Sequence, residues 1–264
     1  MDLGTTKMIA RRDGGIGWMV FNQPEKHNAV AYEMWIAVPK IVAAFEADPE
    51  VRVIAIRGAG ERAFVSGADI SEFESRRSSQ DAIKIYDAAG EAAHQAIAQA
   101  VKPTIAMIRG ICIGGGLGLA LTTDLRICAA DAVFAVPAAR LGLGYRLTGI
   151  KRLVDIVGPA FAKEIFFTAR QFDTEEARIM GFVNRIVPEA ELEAYVKSYA
   201  DTIAANAPLT VKAAKFIANE VMKDESKRDP ARCAELVEQC FASRDYTEGR
   251  RAFMEKRKPA FTGS

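Results

Sequence analysis

The sequence predicts an α/β fold built on a parallel sheet, on three observations. Short apolar, β-branched runs alternate with helical patterns up to Val136, as in repeated βαβ units. Beyond Pro137 the pattern is nearly all helix. Between them the apolar run Thr104 to Ala120, TIAMIRGICIGGGLGLA, passes through three glycines, as a buried strand does when it turns directly into a helix. No Gly/Ser linker, internal repeat or low-complexity segment divides the chain. We therefore expect one core with a helical C-terminal layer, the core over residues 1–200 and the helical region over 201–264.

In chain order, Met8 to Arg12 and Gly17 to Phe21 read as two strands turning at Asp13-Gly14-Gly15. Tyr32 to Ala47 has helical spacing and stops before Asp48-Pro49, and Val51 to Arg57 is a β-branched strand ending in Gly58-Ala59-Gly60. AFVSGADI places small residues where the chain leaves a sheet. Asp81 to Gln99 is a long helix that leads through Lys102-Pro103 into the central strand. Leu125 to Ala129 and Val133 to Val136 are short strands. Helices follow at Lys151 to Val157, Ala160 to Thr168, Thr174 to Met180, Glu189 to Asn206, Leu209 to Lys223, Pro230 to Ala242 and Thr247 to Glu255, with one strand, Val183 to Val187, among them.

With 264 residues, half of them hydrophobic, the chain can bury a substantial core. The 35 basic and 34 acidic side chains give no general attraction to nucleic acid or to an acidic membrane, and neither partner is expected. The 4 cysteines include Cys112 and Cys128 in apolar strand-like runs, which reads as reduced core thiols. With 2 histidines and no CxxC pair, a metal site or a histidine triad has little material. The N-terminal stretch lacks a signal-peptide pattern and no apolar stretch spans a bilayer, so a cytoplasmic protein is expected.

The glycine turn is where chemistry is expected. Glycines 114 to 116 let another molecule approach the backbone, and the first N–H groups of the following helix lack partners. The run lacks both the Gly-Lys-Ser/Thr ending of a phosphate loop and the third glycine of a dinucleotide fingerprint, since Leu119 stands there. What remains is a smaller anion, such as a carbonyl oxygen that becomes an enolate or oxyanion, or else a close strand-to-helix packing turn. The second small-residue turn, Ser66-Gly67-Ala68-Asp69, follows a strand of the same sheet and could offer another N–H to the same oxygen.

NQPEKHNAV, AFVSGADI, GGGLGLA and EGRRAFMEKRKPAF, in this order, resemble the crotonase (enoyl-CoA hydratase/isomerase) superfamily over essentially the whole chain. The resemblance implies a ClpP/crotonase-like spiral of ββα units with a helical C-terminal trimerisation region, assembled as a homotrimer or a dimer of trimers. It also implies an acyl-CoA thioester substrate and no cofactor beyond the coenzyme A that the substrate carries. Carried over by position, the backbone N–H groups of Ala68 and Gly115 would form the oxyanion hole. Lys26, Ala29, Ser66 and Ile70 would line the CoA site, and Phe253 and Lys256 would reach it from the C-terminal helix, from a neighbouring subunit where the assembly requires it. Lys256 also reads as a solvated charge in a basic run.

The departures from the pattern point to a reaction. The two positions where hydratases of this family carry glutamates are Gly118 and Ala138 here. A general acid or base contributes roughly 10² to 10⁴ in rate, so hydration by the usual route is not expected. Decarboxylation of a malonyl-type thioester needs no strong base, because the departing CO₂ leaves its electrons on an enolate that the hole can stabilise. RLGLGYRLTGIKRLV and FAKEIFFTA are similar to the methylmalonyl-CoA decarboxylase branch, in which the tyrosine matching Tyr145 faces the substrate carboxylate. That branch carries a histidine where this chain has Ala68. Two alternatives stay open: a hydratase or isomerase with another base, for which Glu72 and Glu91 are candidates, and a catalytically silent CoA-thioester-binding homologue. Tyr145 also reads as an aromatic cover on a glycine turn and Arg140 as a surface charge. His94 reads as a satisfied helix residue, His27 as a packing or solvent-facing side chain, Cys112 as core, and Asp69 and Asp124 as hydrogen-bonding anchors.

Overall fold

The computed structural model describes residues 2–72 and 79–264. β1 (Met8–Asp13) and β2 (Ile16–Phe21) pair antiparallel around the predicted Asp-Gly-Gly turn. From β2 the chain crosses through α1 (Tyr32–Ala47) and enters a repeating path. β3 (Val53–Gly58) runs on into β4 (Ala63–Val65), followed by α2 (Gln80–Ala98). β5 (Thr104–Ile108) runs on into β6 (Ile111–Ile113), followed by α3 (Gly115–Leu121). β7 (Leu125–Ala129) runs on into β8 (Val133–Ala135), followed by α4 (Ala138–Leu141). The first strand of each unit joins one sheet, of order β1-β2-β3-β5-β7 closed by β9 (Arg185–Val187), and the second joins a three-stranded sheet, β4-β6-β8. All pairs after β1–β2 are parallel. This is a spiral of strand, strand, helix.

The central run, expected as one strand, is therefore two. Gly110 turns the corner at φ +54, and a Cβ there would lie 2.2 Å from the Arg62 carbonyl oxygen. No apolar pattern announces that break, because both strands are buried.

The large sheet is apolar on both sides with a period of two. Trp18, Val20, Val53, Ala55, Ile105, Met107, Ile127 and Ala129 face α7 (Leu192–Ala204), through its Leu192, Val196 and Ala200. Their neighbours Met19, Phe21, Ile54, Ile56, Ala106, Ile108 and Cys128 face α1, α2 and the small sheet. α5 (Leu147–Thr168) contains Gly158 at φ 76 before Pro159, so the two predicted helices meet there at a kink, and the first begins earlier than its pattern. α6 (Thr174–Ile179) precedes β9, and α8 (Pro208–Val221), α9 (Pro230–Ala242) and α10 (Arg244–Met254) complete the chain. Val221, Met222, Phe241, Phe253 and Met254 on and beside these last helices are exposed. No helix among the described residues is long and apolar enough to cross a membrane.

Candidate active site

Two turns meet at the ends of β4 and β6, and buried polar residues set their spacing. Asn28, fully buried and left-handed at φ 56, accepts from the Gln23 amide at 3.0 Å and donates to the carbonyls of Ala59 and Ala63 at 3.0 and 2.9 Å. It thereby ties the 23–30 loop to the end of β3 and to β4. That loop grips the next turn from both sides: Val30 donates to the Gly67 carbonyl at 2.7 Å and accepts from the Asp69 amide at 2.9 Å. The residue between them, Ala68, keeps its own N–H out of the ladder.

The other turn is held by packing. Gly114 adopts φ 56 and donates to Ala135 at 2.9 Å, and a Cβ on Gly116 would fall 2.0 Å from the Val65 carbonyl oxygen, so α3 begins in direct contact with β4. As a result the Ala68 nitrogen lies 3.7 Å from where a Cβ on Gly115 would stand. Neither the Ala68 nor the Gly115 amide donates a hydrogen bond among the described residues. Two free amides from adjacent turns can converge on one oxygen.

Beside them, Asp69 is buried and accepts from Lys26 Nζ at 2.8 Å, Gln23 Nε2 at 3.2 Å, and Ser71 Oγ and N at 2.6 and 3.1 Å. Burial opposes its ionisation, but the donors from Lys26, Ser71 and Gln23 outweigh it and lower its pKa to about 2. Asp69 is thus an anchor, as expected, and so is Asp124, which accepts from Thr104 N and Lys215 Nζ at 2.7 Å each. Lys26, Ala29, Ser66 and Ile70 lie along the same pair of strapped segments. Ser66 donates its amide to the His27 carbonyl at 3.1 Å, Ala29 is buried, and Ile70 and Lys26 are exposed at the rim. Phe253 and Lys256 are elsewhere: Phe253 lines a groove of about 1140 Å³ among α8, α9 and α10, and the groove shares no lining residue with the two turns. Lys256 is exposed at φ 54 just beyond α10. One chain does not bring this pair to the site.

Three residues further along α3, Gly118 stands on the face next to that of Gly115. A Cβ on Gly118 would lie 3.3 Å from His94 Nε2, which is buried and has no hydrogen-bond partner among the described residues. The expected satisfied helix residue is therefore not satisfied. Its ring packs on Trp35 with centroids 5.4 Å apart. Burial above all, then the nearby Arg152, lowers the His94 pKa to about 4 against the pull of Glu91, so the imidazole is neutral at pH 7.

Glu91 is no free base. Arg152 donates to it at 2.8 Å and Gln95 at 3.2 Å, and these hydrogen bonds outweigh its burial and lower its pKa. Glu72 accepts from the Tyr32 amide at 2.8 Å. Ala138 is buried at the start of α4. Tyr145 lies in the exposed segment after α4, packed edge-on against Phe166 at 4.9 Å, with its ring 3.5 Å from the Cβ position of Gly149. Desolvation raises its pKa, which keeps the hydroxyl protonated, and it makes no hydrogen bond among the described residues. Arg140 is exposed, Cys112 is buried with its thiol pushed well up, and His27 serves as a left-handed corner at φ 52.

A sequence profile of the enoyl-CoA hydratase/isomerase family matches residues 11–264. The chain belongs to that family. It is 35% identical over 254 residues to a crotonyl-CoA hydratase of Syntrophomonas wolfei, covering 96% of this chain and 97% of that one. It is 34% identical over 257 residues to a carnitinyl-CoA dehydratase of Escherichia coli, covering 96% and 97%. Among solved structures, an enoyl-CoA hydratase/isomerase family protein from Hyphomonas neptunium superposes with TM-score 0.91 at 36% identity, covering 98% of each chain. The fold is the crotonase fold that the motifs implied.

Proposed function

We propose that this chain is an acyl-CoA-processing enzyme that decarboxylates a malonyl-type thioester. One observation carries the reading: the free amides of Ala68 and Gly115 meet at adjacent turns, while the two expected carboxylate positions are Gly118 and the buried Ala138 and Glu91 is committed to Arg152. The thioester oxygen accepts from both amides. The bond from the α-carbon to the carboxylate breaks, CO₂ leaves, and the electron pair forms an enolate whose charge the two donors stabilise. The α-carbon then takes one proton from solvent, so that the carboxylate-bearing thioester and that proton end as the neutral acyl group and CO₂. Tyr145, held protonated, donates to the departing carboxylate and orients it. Coenzyme A lies along Lys26, Ala29, Ser66 and Ile70. Phe253 and Lys256 complete that site across a trimer interface, for which the exposed apolar side chains of the last helices are suited.

The relatives named above are a hydratase and a dehydratase, so water addition is the reading to test against. Purified protein is assayed with crotonyl-, malonyl- and methylmalonyl-CoA. CO₂ release from a malonyl thioester is expected to exceed hydration of crotonyl-CoA, and Tyr145→Phe is expected to slow it by roughly ten- to a hundredfold with CoA affinity kept, the worth of a hydrogen bond to a charged group. Fast hydration without CO₂ release would refute the decarboxylase reading.

A further inference from the structure

His94 is a buried side chain beside α3 whose chemistry the reading above leaves unused. It projects from α2 toward α3, where its Nε2 stands against the place that a side chain on Gly118 would take. Gly115 and Gly118 are three residues apart on neighbouring faces of α3, so their Cβ positions are about 5–6 Å apart. The first of these positions is 3.7 Å from the Ala68 nitrogen and the second is 3.3 Å from His94 Nε2. The free amides and the unpartnered imidazole nitrogen therefore stand along neighbouring faces of α3, about one helical turn apart.

A buried nitrogen without a partner is costly, and a bound ligand that pairs with it is one way in which that cost is offset. A plain alkyl chain on a thioester held at the two amides would leave Nε2 unpaired, whereas an acyl group with a polar tip that reaches it would satisfy it. Among the described residues, Glu91 and Arg152 are the charges that act on the ring, and they are paired with each other at 2.8 Å, so an arriving anion meets little net repulsion from them. We infer that His94 contacts the substrate, its Nε2–H donating to a carboxylate carried on the α-carbon of the bound thioester, and that it selects such acyl groups over unsubstituted ones. This rests on the proposed binding of a thioester by Ala68 and Gly115.

The test compares the binding of acetyl-CoA and sulfoacetyl-CoA, in which a sulfonate stands for the carboxylate and cannot leave as CO₂. By calorimetry the wild-type protein is expected to bind sulfoacetyl-CoA at least tenfold more tightly than acetyl-CoA, as a hydrogen bond to a charged group provides. His94→Phe is expected to abolish that preference and to leave acetyl-CoA affinity within about threefold. Because His27 is the only other histidine, the His94 ring is followed directly by NMR in the unsubstituted protein: its resonances are expected to move with sulfoacetyl-CoA and not with CoA alone. A preference that survives in His94→Phe, or in His94→Gln if the first variant does not fold, would overturn the inference, as would unmoved His94 resonances in the saturated complex. If the preference holds while malonyl-CoA is not turned over, decarboxylation alone falls. Binding of neither thioester would overturn both.

Discussion

Asp69→Asn tests whether the site is built from the outside inward. The carboxylate collects four donor contacts, from Lys26 Nζ, Gln23 Nε2, Ser71 Oγ and Ser71 N. An asparagine offers one oxygen and an NH₂ group, so some of these donors would face another donor. Lowering the pKa from 3.8 to about 2 corresponds to about 2 kcal/mol of stability, most of it from the buried contacts, because Lys26 is half in solvent and its share is screened. The folded pKa is depressed, so this stability is fully present above about pH 4 and is lost as the pH falls toward 2. Urea unfolding of both proteins from pH 7 to pH 2.5 measures it, with the gap expected to be about 2 kcal/mol at pH 7 and to close in acid. Turnover is expected to fall as well, since the Asp69 amide and the Gly67 carbonyl hold Ala68 between them. Equal stability at pH 7 with unchanged turnover would refute the idea that this anchor sets the amide's position.

Two further outcomes follow from the same contacts. Wild-type stability is expected to fall as the pH drops from about 6.5 to about 4, by up to roughly 3 kcal/mol, because His94 binds a proton in the unfolded chain before it does so in the folded one; His94→Gln should flatten that slope in thermal unfolding, and an unchanged slope would place the imidazole in water. Gly116→Ala is expected to lower the thermal midpoint strongly, since its methyl would meet the Val65 carbonyl at 2.0 Å, and a variant of unchanged midpoint would show that α3 does not rest on β4.

The strands and most helices were legible because each carries its own period and its own breakers. Leu125–Ala129 and Pro230–Ala242 begin and end where the pattern places them, and the break between the two helices before and after Gly158-Pro159 is a sequence signal that became a kink. The division of Thr104–Ile113 into two sheets was not legible, because strands buried on both faces read as one apolar run and the only trace of the corner is a single glycine. At the site, AFVSGADI and GGGLGLA fell on the two turns that meet, whereas Phe253 and Lys256 of the C-terminal motif lie away from them. What escaped was the support: Gln23 and Asn28 sit inside a recognised motif, yet their partners at Ala59, Ala63 and Asp69 are 31 to 46 residues away and no spacing reveals them. The left-handed His27-Asn28 corner that orients them is visible only in the structure.

The same distance in sequence hid the relation between position 94 and position 118, and that relation bears on what the missing carboxylate means. Read along the chain, Gly118 is a deletion of chemistry and His94 is an ordinary helix residue. In space a Cβ at 118 already reaches the imidazole at 3.3 Å, so a glutamate at 118 and a histidine at 94 compete for one volume. A chain that had merely lost its carboxylate would have had no cause to keep a polar, unpaired nitrogen at the edge of the gap, where leucine or phenylalanine on α2 would pack against Trp35 without an unpaired buried group. The arrangement favours exchange of one polar group for another over decay of the site, because the exchange accounts for both residues and decay accounts only for Gly118.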